Sequence, residues 1–233
     1  MHISRLLSLF VLSLLMVACK SQPAEGSDTS NSNVQTVSTN AKVNFAPDNG
    51  DDLAKAYFAS GCFWCVEAVF ESVKGVEEAV SGYAGGTKAN PTYQEVSTGS
   101  LRHAEAVVVY YDPEVVVFAT LVKVFFGIHD PTTPKRQGPD RGPQYRSIAF
   151  YTSPSEKATI QSYMEELVSS GAYARGEIVT EVKELEQFWE AEAYHQDFER
   201  RNPNQGYVKA VSIPRLNRFK AKFPELLKEN SDH

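Results

Sequence analysis

Sulfur is scarce in this chain, with three cysteines and three methionines among 233 residues. Basic clusters are missing too. The 23 lysines and arginines are dispersed and the formal charge is −6, so nucleic acid is excluded as a partner class. The apolar run Leu6 to Ala18 is shorter than the ~20 residues of a membrane-spanning helix. No internal repeat is visible. A structural zinc site asks for about four ligands. Five scattered histidines, His2 among them, offer no second half-site beside a cysteine pair, so no metal is expected.

Several features are present and informative. The head "MHISR", the apolar run and a small residue before the break read as a secretory signal over residues 1–18. Its end, "LMVAC", resembles the lipobox of bacterial lipoproteins, in which the cysteine becomes the new N-terminus and carries lipid on its sulfur. That resemblance implies lipidation of Cys19 and export to the cell envelope or periplasm on a lipid anchor. An ordinary cleaved signal with a chance cysteine is the alternative. Residues 19–50 are rich in Ser, Thr, Asn and Gln and poor in large apolar groups. Such a stretch cannot offset its ordering entropy and reads as a flexible tether. From Asp51 the composition changes, and residues 51–233 suit one domain with a substantial core. A lipidated Cys19 has a thioether sulfur, which leaves Cys62 and Cys65 as the thiols of the mature chain. In an exported protein an adjacent free pair suggests use.

Periodicity gives the layout of that domain. "KAYFAS" (55–60) alternates as a strand, Gly61 marks a turn, and Val66, Val69, Phe70 and Val73 share one helical face. Cys62 therefore falls at a helix N-terminus, where unpaired N–H groups and the helix dipole favour thiolate. Residues 75–86 and 103–113 read as strands, 90–99 as a short helical turn, and the apolar segment 114–130 as a buried helix. Four prolines and two glycines make 131–144 a long ordered loop. A strand then begins at Tyr145, a capped helix runs to Gly171, and "EIVTEVKE" is a strand. "QFWEAEAYHQDFERRNP" (187–203) reads as a helix halted by Asn-Pro, and "RLNRFKAKFPELL" closes the chain. This order predicts an α+β fold: a two-layer, ferredoxin-like plait with helices on a mostly antiparallel mixed sheet.

On its own, Cys-x-x-Cys fits a redox pair or packed small residues equally well. Its surroundings narrow the choice. "GCFWCVEAVF" resembles the active-site signature of the type A peptide methionine sulfoxide reductases. "GYAGG" (82–86), "NPTYQEV" (90–96), "HAEAV" (103–107), "DRGPQYRS" (140–147) and "AEAYHQDF" (191–198) follow in that family's order. The resemblance implies thiol-dependent reduction of methionine S-sulfoxide, free or in oxidised proteins, as repair of oxidative damage. It implies Cys62 as the nucleophile that becomes a sulfenic acid, and Glu105 as the acid that protonates the leaving oxygen. Tyr93 and Tyr145 would be hydroxyl donors to that oxygen and Asp140 an active-site carboxylate. Phe63 and Trp64 would hold the S-methyl group, with Tyr207 on the substrate side and Tyr194 and His195 in support. Taken singly, each has a plainer reading: a rim Glu, core tyrosines, a turn Asp, a packing histidine.

The chain also departs from that pattern. Many family members have glycine at the place of Cys65 and a resolving cysteine just after a late "GY"; here Val208 stands there and no cysteine follows. Cys65 is the remaining thiol able to attack a sulfenic acid on Cys62. Positions i and i+3 at a helix start, about 5–6 Å apart, permit a disulfide. An external thioredoxin-like dithiol would then recycle it, with no prosthetic cofactor. Otherwise Cys65 is a buried small residue and an outside thiol reduces Cys62 directly. A monomer is expected. The main competing function is an exported thiol–disulfide oxidoreductase, which accounts for the cysteine pair but for neither Glu105 nor the tyrosines.

Overall fold

The computed structural model describes residues 52–229, so the expected signal, the tether and Cys19 lie outside the described residues. β1 (Ala54–Ser60) leads into α1 (Phe63–Glu71), followed by β2 (Val76–Ala84), α2 (Tyr93–Ser97) and β3 (Ala104–Tyr111). Next come α3 (Phe118–Gly127), a small hairpin of β4 (Arg136–Gln137) and β5 (Asp140–Arg141), β6 (Ser147–Tyr151) and α4 (Pro154–Ser169). The chain continues through β7 (Glu181–Glu184), β8 (Phe188–Glu190), α5 (Phe198–Arg201) and α6 (Ile213–Lys222).

Six strands form one mixed sheet in the order β7-β6-β1-β3-β2-β8. Its neighbours are antiparallel except β6 and β7. The α+β class with a mixed sheet is therefore what the chain adopts. Alternation along β1 sends Ala56 and Phe58 to the helical side, while Ala59 and Tyr57 pack on the opposite face. Phe58 stacks on Phe70 of α1 and Phe125 of α3, ring centroids 5.2 and 5.0 Å apart. Burying each such side chain contributes ~1.5–3 kcal/mol. These rings fix α1, and with it the cysteine pair, against the centre of the sheet.

Two local features set the site's frame. Gly61 takes φ +93°, and a Cβ there would meet Gln137 Cβ at 2.6 Å, so the strand-to-helix turn needs glycine. The Pro/Gly loop is ordered as expected. Gln137 clamps it by donating to the Asp130 carbonyl (2.6 Å) and accepting from the Asp130 N–H (3.1 Å).

The expected helix over 187–203 is not what forms. Phe188–Glu190 instead adds an edge strand to β2, opposite Gly82–Ala84. Gly82 permits this approach: a Cβ there would lie 2.3 Å from Phe188 Cζ and 2.5 Å from the Trp189 carbonyl. A tight turn, Ala193–His195, follows. Asp197 then takes a left-handed φ of +53°, its N–H held by the Glu67 carboxylate, and only Phe198–Arg201 is helical. Both partners that impose these turns are distant in sequence, and helical spacing carries no record of them.

Candidate active site

Cys62 is the N-cap of α1. The first helical N–H, that of Phe63, is not left for it: it donates to Glu105 Oε2 at 3.1 Å. Glu105 comes from β3 and is 2% exposed. Burial pushes its carboxyl up to about 8, against the downward pull of the Phe63 N–H. It is therefore protonated at neutral pH and able to donate.

Phe63 is buried, its ring 5.9 Å from that of Tyr83 and 4.9 Å from the His195 imidazole. Trp64 stacks on Phe198 at 3.7 Å, and its indole N–H donates to His195 Nδ1 at 3.1 Å. With Nδ1 accepting and burial lowering its pKa to about 4, His195 is a neutral ring. It lies in the turn before α5, not on an amphipathic helix, and holds Trp64 in place. Tyr194 does not join the cleft: it is 53% exposed, with its ring resting on His195 at 4.2 Å.

Tyr93 opens α2, which begins with a reciprocal cap. Thr92 Oγ1 accepts from the Glu95 N–H, and the Glu95 carboxylate accepts from the Thr92 N–H. The Tyr93 N–H donates to Glu192 Oε1 (2.9 Å), and the Tyr83 hydroxyl donates to Oε2 (2.8 Å). Tyr145 ends the turn Pro143–Tyr145. Burial, reinforced by the negative charge of Glu105, raises both Tyr93 and Tyr145, so each keeps its hydroxyl proton. Asp140, on β5, accepts from the Tyr207 hydroxyl at 2.6 Å and is raised mainly by burial.

These side chains converge. Cys62, Phe63, Trp64, Tyr93, Glu105, Asp140, Tyr145, Gln205 and Tyr207 line one cavity of about 250 Å³. Cys62 is 6% exposed, nearly sealed but open to that space. Gln205 and Glu192 were not singled out from the sequence, although Glu192 sits inside "AEAYHQDF" and Gln205 lies two residues before Tyr207.

The residues matched from 54 to 227 are those of the family described as peptide methionine sulfoxide reductase. The chain belongs to that family. It is 46% identical to peptide methionine sulfoxide reductase MsrA 2 of Synechocystis sp. over 178 residues, covering 76% of this chain and 83% of the relative. Among solved structures it is similar to methionine sulfoxide reductase A of Corynebacterium diphtheriae, with 34% identity and TM-score 0.59, covering 66% of this chain and 77% of that one. Reduced Mxr1 of Saccharomyces cerevisiae is another, at 31% identity and TM-score 0.61 over 66% and 88%. The chain is thus a peptide methionine sulfoxide reductase of the A type, an oxidoreductase acting on sulfur.

For such a reductase the cysteine pair is unexpectedly arranged. Both thiols are free and buried, and each shifts the other's ionisation. Burial pushes the Cys62 thiol up, and the Cys65 and Glu105 charges add to this. Cys65 is drawn down to about 6, first by the Cys62 S–H and then, against burial, by Arg215, Ser212 and Tyr207. The helix-terminus argument for a Cys62 thiolate is therefore corrected. Glu105 takes the first N–H, burial disfavours charge at Cys62, and the pair's negative charge rests on Cys65.

Carboxylates of Glu67, Glu71 and Asp197 also cluster, outside this cavity. Glu67 is committed to the Ser81 hydroxyl and the Asp197 N–H. Burial raises Glu67, and Glu71 to about 8. Glu67 and Glu71 are thus held largely protonated, which suits the cluster poorly to a cation.

Proposed function

We propose that this protein reduces the S epimer of methionine sulfoxide, free or in oxidised proteins, with Cys62 as nucleophile and Glu105 as acid. The observation that carries this reading is the shared cavity in which a thiol, a protonated carboxyl and two neutral phenols face one another. As the sulfoxide enters, Cys62 gives its proton to the Cys65 thiolate one helical turn away and attacks the partly positive sulfur. Two electrons pass from the Cys62 sulfur to the substrate sulfur. The oxygen moves to Cys62 and takes the Glu105 proton, leaving methionine, a Cys62 sulfenic acid and a Glu105 carboxylate. Tyr93 and Tyr145 donate to the oxygen as its charge develops. Phe63 and Trp64 pack on the methyl group, and Tyr207, tied to Asp140, bounds the cavity beside them.

Cys65 then attacks the sulfenic acid, forming a Cys62–Cys65 disulfide that an external thioredoxin-like dithiol reduces. Supporting this are the placement of both thiols in the first turn of α1 and the lowered Cys65 pKa. Peptide mapping after one turnover with a methionine sulfoxide peptide and no reductant tests it. A Cys62–Cys65 crosslink is the expected result. A lasting sulfenic acid on Cys62 with Cys65 free would remove the resolving role.

The same reading has residues 1–18 as a lipoprotein signal, 19–50 as a tether and 51–233 as the catalytic domain, a monomer anchored in the envelope through Cys19. The lipobox resemblance and the polar tether support it. Mass spectrometry of the mature N-terminus should find acylated Cys19, and Cys19→Ser should release the protein from membranes; an unmodified Cys19 would refute the anchor. The central strand order β6-β1-β3-β2, with α1 and α3 as connections, supports the plait.

A further inference from the structure

Cys65 does not sit among packing neighbours alone. It is 1% exposed, and its Sγ lies 2.8 Å from Ser212 Oγ. Ser212 is fully buried and ends a π-helical turn, Val208–Ser212, that runs directly into α6. Such turns are rare and concentrate at functional positions. Beyond Ser212 is Glu199 of α5. The Ser212 hydroxyl favours its carboxylate form, and the charge on Cys65 opposes it. Glu199 is 6% exposed, and its Oε2 is buried without a hydrogen-bond partner. A buried carboxylate oxygen left this way costs stability, so packing does not explain it. Arg215, buried on α6 and donating to the Ile128 and Ser60 carbonyls, places a positive charge on the same side of Cys65.

We propose that Ser212 and Glu199 form a proton relay that deprotonates Cys65 for the resolving step, the hydroxyl handing the thiol proton to the carboxylate. This rests on the reading of Cys65 as the resolving thiol. After the first half-reaction Cys65 carries the proton it took from Cys62 and must lose it again before it can attack. The Cys65 proton passes to Ser212 Oγ while the Ser212 proton passes to Glu199. The Cys65 sulfur bonds to the Cys62 sulfur, and the S–O bond breaks with its electron pair leaving as hydroxide. Hydroxide takes a proton from solvent and Glu199 returns one, so the net products are a disulfide and one water. Burial raises Glu199 to about 7, which suits a group that must take and release a proton near neutrality. It also lines a surface cavity with Trp64 and Ile213, its route to solvent.

Single-turnover kinetics with a methionine sulfoxide peptide and no reductant test the relay, following methionine release and alkylatable thiols together. Ser212→Ala and Glu199→Gln, both near-isosteric, should each lower the ratio of crosslinking rate to methionine-release rate ~10-fold or more. In the wild type crosslinking should accelerate as pH rises through about 7. The charged groups facing Glu199 are Cys65 on α1 and Arg215 and Lys220 on α6, and Glu199→Gln should remove that rise. A merely structural role would lower both rates together and leave the pH profile alone. An unchanged ratio in both variants, with the wild type crosslinking, would overturn the relay and spare the resolving role. No crosslink in the wild type would overturn both.

Discussion

Cys62→Ser should abolish methionine sulfoxide reduction, a loss of ~10⁴-fold or more. The reason is redox as well as nucleophilic. The sulfoxide oxygen needs an acceptor that can give up two electrons, and a serine oxygen cannot, whatever its pKa. The fold should survive, because the side chain shrinks by little at a position already bordered by a cavity. The result is decisive because a rival thiol sits one helical turn away. Cys65 carries the pair's negative charge, and by ionisation alone it is the better nucleophile. It is 1% exposed, however, and does not line the cavity. Geometry therefore outranks charge in deciding which sulfur attacks. If methionine release from Cys62→Ser stays above about 1% of the wild-type rate, with the variant's thermal melt unchanged, Cys65 reaches the substrate and the two assignments must be exchanged.

What could be read from the sequence was largely local. The turn at Gly61, the start of α1 and the β3 strand carrying Glu105 follow from residues within a few positions of one another. The capping pair Thr92 and Glu95 that aims Tyr93 is local too, although the sequence reading stopped at a short helical turn over 90–99. The misreading of 187–203 arose because helical spacing there is real but loses to two distant partners: a bare glycine at 82 that admits Phe188, and the Glu67 carboxylate that captures the Asp197 N–H. The charge on the cysteine pair was misplaced for a related reason. A helix N-terminus favours thiolate only while its N–H groups are free, and the first of them belongs to Glu105, 42 positions away.

In the proposed reaction that bond also ties the acid to the nucleophile. Glu105 accepts from the residue next to Cys62, so one contact positions both partners of the first step and leaves the other carboxyl oxygen to carry the proton. Ser212 and Glu199 lie behind the pair, on segments in which the sequence reading named no role for either residue. In the proposed mechanism the cysteines are thus served from two sides, by β3 for sulfoxide cleavage and by α5 and α6 for resolution.

Glu105→Gln should slow sulfoxide reduction ~10²–10³-fold, less than the loss at Cys62. An amide can still donate to the oxygen and polarise it, but it has no proton to transfer. The sharper signature is the pH profile of kcat/KM. The acid works when protonated, and burial holds Glu105 near 8, so wild-type activity should be sustained below that value and fall above it. The base that receives the Cys62 proton, Cys65, titrates near 6, so activity should climb through that pH. The profile is then bell-shaped. In Glu105→Gln the alkaline fall should vanish while the acid limb stays, because the glutamine does not titrate and Cys65 still does. An alkaline limb that persists in the variant would assign it to another group, Tyr93 or Tyr145 first among them. A loss equal to that of Cys62→Ser would mean that the carboxyl holds the site together and does not act as its proton donor.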